Sequence, residues 1–128
     1  MACPYFYPRT AMAPVHGILP LGDAWAGECR AHPEPVQPDA DVTLRLCNLG
    51  YARERCPHFP GGPDAVRFAI RSRAGDTVSV YCVIEKDYLP FAHGPLEVGP
   101  QGCAGFAGEI VARQARAYVE SYLRRTCS

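Results

Sequence analysis

The feature that most restricts how this chain can fold is the distribution of its prolines. Ten of the 13 prolines precede residue 64. Proline fixes φ and has no backbone N–H, so it interrupts helices and the interior of sheets. Residues 1–64 are therefore predicted to contain few long regular elements. Ordering such a segment costs about 1–2 kcal/mol per residue in backbone entropy, and a metal cross-link is an effective way to offset that cost.

The cysteines offer such a cross-link. The chain has seven, and four lie in the proline-rich half, at Cys3, Cys29, Cys47 and Cys56. The N-terminal residues show neither a signal-peptide pattern nor a stretch of about 20 apolar residues, so we expect a cytoplasmic protein outside the membrane. Disulfides are rare in the cytoplasm, and an odd number of cysteines leaves one without a disulfide partner. The remaining roles for these cysteines are metal ligation and simple burial.

A short repeat distinguishes two of these cysteines. The segment CPYF at residues 3–6 is echoed by CPHF at residues 56–59. Proline turns the chain directly after the sulfur, and the aromatic ring two residues later can shield it. A Cys-Pro pair also ends the cysteine run of bacterial ferredoxins. Four thiolates are the number that one [4Fe–4S] cluster requires, so Cys3, Cys29, Cys47 and Cys56 are the predicted ligands.

Zinc and metal-free packing are the alternatives. Structural zinc sites usually contain two close C-x(2–4)-C pairs, and no such pair occurs among the four cysteines, which favours a cluster. His58 lies two residues from Cys56 and would allow a mixed Cys/His site, and a Cys-Pro thiolate can also bind haem. Cysteine is also among the residue types most often buried without any metal.

The proline-rich half resembles a group of known sequences. The shared pattern comprises CP at residues 3–4, LPLGD at 19–23, Cys29, CNLGYA at 47–52 and CP at 56–57. It is similar to uncharacterised bacterial proteins that carry four cysteines of iron–sulfur type, and it covers residues 1–60. The resemblance implies an iron–sulfur centre but no particular activity. The ferredoxin run C-x2-C-x2-C is missing, which argues against a ferredoxin fold.

The second half has clear periodic patterns. Alternating apolar residues predict strands at residues 65–72 and 77–85, joined by a turn, with a third strand near 96–98. Cys82 is on the inward face of the second strand, which predicts core packing. A proline-free stretch from Ala104 to Arg125 predicts a helix. Its predicted buried stripe is Ile110, Val111, Ala115, Tyr118, Val119 and Tyr122, and its predicted solvent face is Glu109, Arg113, Arg116, Glu120 and Arg124.

A shorter helix is predicted in the proline-rich half, although the alternating Val42, Leu44 and Leu46 would also suit a strand. Asp41 would be its N-cap, Cys47 would lie in its last turn, and Gly50 would end it in the left-handed conformation. Together these patterns predict one α+β domain over residues 1–128. Its irregular, metal-clamped half (1–64) would pack against a small antiparallel sheet and a long C-terminal helix (65–128).

The predicted function is that of a small iron–sulfur protein. It would bind one [4Fe–4S] cluster and act in electron transfer, in redox sensing or as an accessory subunit. Its partner would be a redox or accessory protein. The alternative is a zinc-stapled interaction module without redox chemistry. Basic and acidic residues balance at 13 each, which does not favour nucleic acid or an anionic membrane as partner. No catalytic residue is identified, since Walker, Rossmann and G-x-S-x-G patterns are absent from the sequence.

Overall fold

The computed structural model describes residues 2–12, 19–51, 55–56, 59–100, 102–105 and 108–126. Its elements, in chain order, are β1 (Phe6–Ala11), β2 (Trp25–Cys29), α1 (Ala40–Val42) followed by a π-helical turn (Thr43–Cys47), β3 (Ala65–Ala74), β4 (Thr77–Lys86), β5 (Leu89–Gly99), β6 (Gly102–Gly105) and α2 (Glu109–Thr126). None of the described helices is long and apolar enough to cross a membrane.

The predicted α+β class is wrong, because the protein is mostly β. Of the described residues, 45% lie in strands or bridges and 23% in helices. Strands β1 and β2 form an antiparallel sheet inside the half that was predicted to be irregular. The pairing tolerates Pro8 because the register shifts directly after it, at a bulge. Opposite Pro8 lies Gly27, where a Cβ atom would stand 2.0 Å from the Tyr7 carbonyl oxygen, so only glycine allows the strands to approach.

The second sheet is antiparallel with the order β3-β4-β5-β6. It confirms the predicted hairpin, whose turn lies at Gly75 and Asp76. The third strand is much longer than residues 96–98. Pro90 and Pro95 fit within it because β6 pairs with β5 only from residue 96 to 99. Both prolines therefore lie where β5 has β4 on one side and no β6 on the other.

The core of the second half lies between this sheet and α2. It consists of Val66, Val78, Val80, Cys82, Leu96, Val98, Val111, Ala115 and Val119. Cys82 is fully buried there, as predicted. The helix begins at Glu109 rather than Ala104, because residues 102–105 form β6. Gly105 has a φ of +125° and lies against the Pro95 carbonyl, a position that a side chain would obstruct.

Helix α2 has a second buried face that was not predicted. Gln114, Ala117 and Ser121 are buried toward the N-terminal half, in addition to the stripe that meets the sheet. The assignment of Arg113 to the solvent face is wrong. Its side chain is only 16% exposed, and its guanidinium lies over the Trp25 ring. One helix thus packs against both halves of the chain.

Candidate metal centre

The short helix places Cys47. The side chain of Asp39 accepts the Val42 N–H at 2.8 Å and caps the helix, so the N-cap lies two residues before the predicted Asp41. Cys47 closes the π-helical turn as expected, and Gly50, with a φ of +75°, follows it. The Cys47 carbonyl accepts the backbone N–H of Cys3 at 3.0 Å. The first and third cysteines are therefore joined through their backbones.

The two Cys-Pro segments form the same hydrogen bond and pack together. The Phe6 N–H donates to the Cys3 carbonyl at 3.1 Å, and the Phe59 N–H donates to the Cys56 carbonyl at 3.2 Å. The rings of Tyr5 and Phe59 meet edge to face with centroids 5.6 Å apart. Residues 57 and 58, including the candidate ligand at position 58, lie outside the described residues. The echo in the sequence therefore corresponds to the same backbone hydrogen bond in each segment and to one aromatic contact between them.

Cys29 comes from the end of β2. It is the residue paired with Phe6 in the first sheet. Its backbone also forms two hydrogen bonds with Val36, at 2.6 and 3.0 Å, which close the intervening loop. The loop returns Val36 to the side of the cysteine, where Val36 and Cys29 line the same cavity.

All four predicted ligands line one cavity of about 30 Å³. Its other lining residues are Tyr5, Phe6, Ala31, Val36, Pro38, Val42, Leu46 and Phe59. The space exceeds what one water needs, but its accessible wall is apolar, and an ordered water requires two or more polar partners. Among the described residues of this wall, the thiols are the only groups suited to bind an inorganic centre.

The spacing of the thiols differs from that of a chelating site. Across the described parts of the chain, no three His, Cys, Asp or Glu side chains are close enough to hold a single metal ion. The four cysteines line the same cavity, but no three of them converge on one point. They nevertheless influence one another, because the pKa of Cys47 rises to about 12 through burial first and through the nearby charges of Cys3, Cys29 and Cys56 second.

Burial also determines the reactivity of Cys3. Its side chain is buried, and burial is the main reason that its pKa rises to about 12. Hydrogen bonding by the backbone of Tyr5 and of Phe6 lowers the pKa of this thiol and partly opposes the rise. A free thiol with so high a pKa is a poor nucleophile near neutral pH. Thiol catalysis at Cys3 or Cys47 is therefore disfavoured, whereas a bound metal would stabilise the thiolates.

Two buried amide side chains support the site, and the sequence analysis missed both. Asn48 accepts the Trp25 N–H and donates to the carbonyls of Trp25 and Thr43, all within 2.9 Å. Gln114 donates to two carbonyls of the first Cys-Pro turn. A sequence signal existed for Gln114, because it is three residues after Val111 and so lies near the apolar stripe of α2.

The loop that carries Cys56 is fixed where it begins and ends. At its start, the Tyr51 N–H donates to the Asp64 carbonyl at 3.0 Å, which brings residues 51 and 64 together. The Tyr51 hydroxyl donates to Glu85, and its ring stacks on Tyr88 with centroids 4.4 Å apart. The β4–β5 hairpin therefore anchors this loop.

Comparisons with known proteins add no relative. No protein-family model, curated protein or solved structure matches the chain. They neither support nor contradict the resemblance to four-cysteine iron–sulfur proteins. The chemistry of the site therefore has to be inferred from the four thiols and their surroundings.

Proposed function

We propose that this protein binds one [4Fe–4S] cluster through Cys3, Cys29, Cys47 and Cys56 and acts in electron transfer, redox sensing or as an accessory subunit in the cytoplasm. The observation that carries the proposal is that these four cysteines, separated by 25, 17 and 8 residues in the sequence, line one apolar cavity. A redox or accessory protein would be its partner.

The spacing of the thiols supports a cluster over a single zinc ion. Four sulfurs bound to one zinc at about 2.3 Å lie about 3.7 Å from one another, so they form a compact group. The described residues contain no such group. In a cubane cluster each thiolate binds a different iron, which suits ligands distributed around a cavity.

The surroundings also suit a cluster. Phe6 and Phe59 line the cavity and would keep water away from the sulfurs. Cys3 and Cys47 are buried, whereas Cys29 and Cys56 are half-buried. Electrons would therefore enter and leave most readily on the side of Cys29 and Cys56, where a partner protein can approach.

The decisive experiment is anaerobic purification followed by iron, sulfide and zinc analysis. The parent protein should be brown and contain about four irons and four sulfides per chain, as one cubane cluster requires. Serine at any of the four ligand positions should strip or destabilise the cluster, because a hydroxyl is far less acidic than a thiol and binds iron poorly. Cys82→Ala is the matched control, since Cys82 is buried in the other half, and it should retain the full metal content.

Three results would contradict the proposal. One zinc per chain without sulfide would favour the zinc-stapled module. A colourless parent that resists reconstitution with iron and sulfide would favour metal-free packing. Loss of iron from the Cys82→Ala variant, with iron retained in the serine variants, would show that the ligands are assigned to the wrong cysteines.

A further inference from the structure

Residues 30–38 form a strap along the side of the candidate metal cavity that is nearest to solvent. At the start of the strap, the Arg30 N–H donates to the Tyr5 carbonyl at 2.8 Å. At its end, the Thr43 hydroxyl donates to the Pro38 carbonyl at 3.4 Å. The strap contains three prolines, which make a segment semi-rigid. We therefore expect the strap to move about its two ends as one unit.

Val36 is the part of the strap that covers the cavity. Two backbone hydrogen bonds, at 2.6 and 3.0 Å, join it to Cys29 in an isolated antiparallel bridge. Its side chain lines the cavity and is 39% exposed, whereas the other described residues of the wall are buried or half-buried. Cys3 and Cys47 line the same cavity and are buried. The cavity is therefore nearest to solvent at Val36.

The closed cavity is smaller than the proposed cluster. Its volume is about 30 Å³, and a single ordered water needs about 10–15 Å³ of comparable space. A [4Fe–4S] cluster consists of four irons and four sulfides, so the cavity has to enlarge before the cluster can bind. Phe6 and Cys47 belong to β1 and to the π-helical turn, whereas the middle of the strap is attached through its bridge to Cys29. The strap is thus the wall that can move at the lowest cost.

We propose that the strap is a gate: the bridge between Cys29 and Val36 breaks and residues 30–38 move outward before a cluster is assembled on the four cysteines. This inference rests on the proposed function. The strength of the bridge then sets how fast the cavity can be loaded. Residues 32–37 are exposed, so water can replace the broken hydrogen bonds, and such a local opening costs less than global unfolding.

The first test is amide hydrogen exchange of the metal-free protein, and it compares two bridges of the same kind. Ala2 and Val66 also form an isolated antiparallel bridge with two hydrogen bonds, at 2.7 and 2.8 Å, but both residues are buried. The amides of Cys29 and Val36 should be equally protected, and at least about tenfold less protected than the amide of Val66. Unequal protection of Cys29 and Val36, or protection equal to that of Val66, would overturn the proposal.

The second test changes the bridge and the cover separately. Val36→Pro removes the N–H that donates to the Cys29 carbonyl. Val36→Ala keeps this N–H and shortens the side chain over the cavity. Val42→Ala is the matched control, since Val42 lines the same cavity but belongs to α1 rather than to the strap. Circular dichroism identifies the variants that remain folded.

Two rates are measured on these proteins. In the metal-free state, iodoacetamide labelling of the buried Cys47 is followed by mass spectrometry, and the loss of one hydrogen bond should raise its rate about two- to tenfold in Val36→Pro. The rate should rise by a smaller factor in Val36→Ala and stay close to that of the parent in Val42→Ala. Cluster assembly with iron, sulfide and a thiol reductant, followed by visible absorbance, should accelerate in Val36→Pro by the same factor as labelling.

The outcomes separate the gate from the proposed function. An unchanged labelling rate in Val36→Pro, or an equal increase in Val42→Ala, would overturn the gate. Faster labelling without faster assembly would show that opening is not a step of loading. If Val36→Pro does not fold, an unchanged rate in Val36→Ala would overturn the gate. If neither the parent nor any variant assembles a cluster, the proposed function fails, and labelling and exchange still decide whether the strap opens.

Discussion

The two halves of the molecule are stabilised in different ways. In residues 65–126, long paired strands and one apolar core between sheet and helix provide most of the contacts. In residues 2–64, the strands are short, the apolar core is smaller, and single buried side chains such as Asn48 hold separate loops together. The first kind of order is spread over many similar contacts. The second depends on a few residues, and it allows four distant cysteines to reach one cavity.

Removal of the proposed metal centre should give the largest difference in behaviour between the two halves. Binding energy for a metal centre is also folding energy for the loops that hold its ligands. After chelation, we expect proteolysis to cut residues 1–64 at least tenfold faster, with little change after residue 65. The measurement is limited proteolysis of holo and chelated samples, with fragments identified by mass spectrometry. Identical cleavage patterns would mean that the cysteines contribute no metal-dependent order.

The second test removes one of the single side chains that support the first half. Asn48→Leu keeps the size of the side chain but removes its hydrogen bonds to the Trp25 N–H and to the carbonyls of Trp25 and Thr43. The Thr43 carbonyl still accepts the backbone N–H of residue 48. Unsatisfied buried groups cost about 1–3 kcal/mol each, so we expect a loss of about 3 kcal/mol in the free energy of unfolding. Urea denaturation measures it. The neighbouring Leu49→Ala, at a largely exposed position, should cost less than about 1 kcal/mol.

If Asn48→Leu were as mild as Leu49→Ala, the buried amide would not be what joins β2 to the helix of Cys47. The comparison between the halves would then need another explanation. If Asn48→Leu lost metal in proportion to its loss of stability, the Asn48 side chain and the metal site would instead belong to one cooperatively folding unit.

The second half was predictable because its order is periodic. Alternating apolar residues identified the β3–β4 hairpin, and proline-free helical spacing identified α2. These signals depend on neighbours in the sequence. Strand β6 was wrongly predicted to be the first turn of the helix. Its four residues, two of them glycine, pair with β5 instead, so the helix begins at residue 109. Only the partner strand, which a single sequence does not reveal, makes that segment a strand.

In the first half, the grouping of the four cysteines was predictable and the scaffold that brings them together was not. The four cysteines expected to act together do line one cavity, although whether they bind a cluster remains a prediction. The β1–β2 sheet was missed because Pro8 argues against a strand when its own sequence segment is considered alone. The bulge after Pro8 and the facing Gly27 accommodate the proline, and both features depend on the pairing of the two strands. Gln114 was missed because its role depends on contacts more than 100 residues away in the sequence.

Arg113 offers a smaller test at the contact between the halves. Its guanidinium lies over the ring of Trp25 and donates to the Arg9 carbonyl at 3.0 Å. Arg113→Asp should therefore cost about 2 kcal/mol, from the lost cation–π contact and hydrogen bond. Arg116→Asp, one turn along on the exposed face, should change stability by about 0.5 kcal/mol or less. Equal urea midpoints for the two variants would show that the contact with Trp25 contributes nothing.

The smallest expected effect concerns the two hairpin tips of the larger sheet. The tip between β3 and β4 has Gly75 at a φ of +61°, whereas the tip that anchors the Cys56 loop has Tyr88 at +66°. A left-handed conformation costs a non-glycine residue about 1–2 kcal/mol. Tyr88 is 78% exposed, so its stack on Tyr51 is the contact that offsets this cost, at about 0.5–1.5 kcal/mol.

Three substitutions separate strain from stacking at these tips. Tyr88→Ala loses the ring and keeps the strain, and Tyr88→Gly loses both, so the glycine variant should be about 1 kcal/mol more stable than the alanine variant and close to the parent. Gly75→Ala introduces the same strain alone, because no described atom lies within 4 Å of the added carbon, and it should cost about 1 kcal/mol. Thermal unfolding of the four proteins measures these differences. If Tyr88→Gly were clearly more stable than the parent, the stack on Tyr51 would contribute little, and the Cys56 loop would be held by its hydrogen bonds to Asp64 and Glu85 instead.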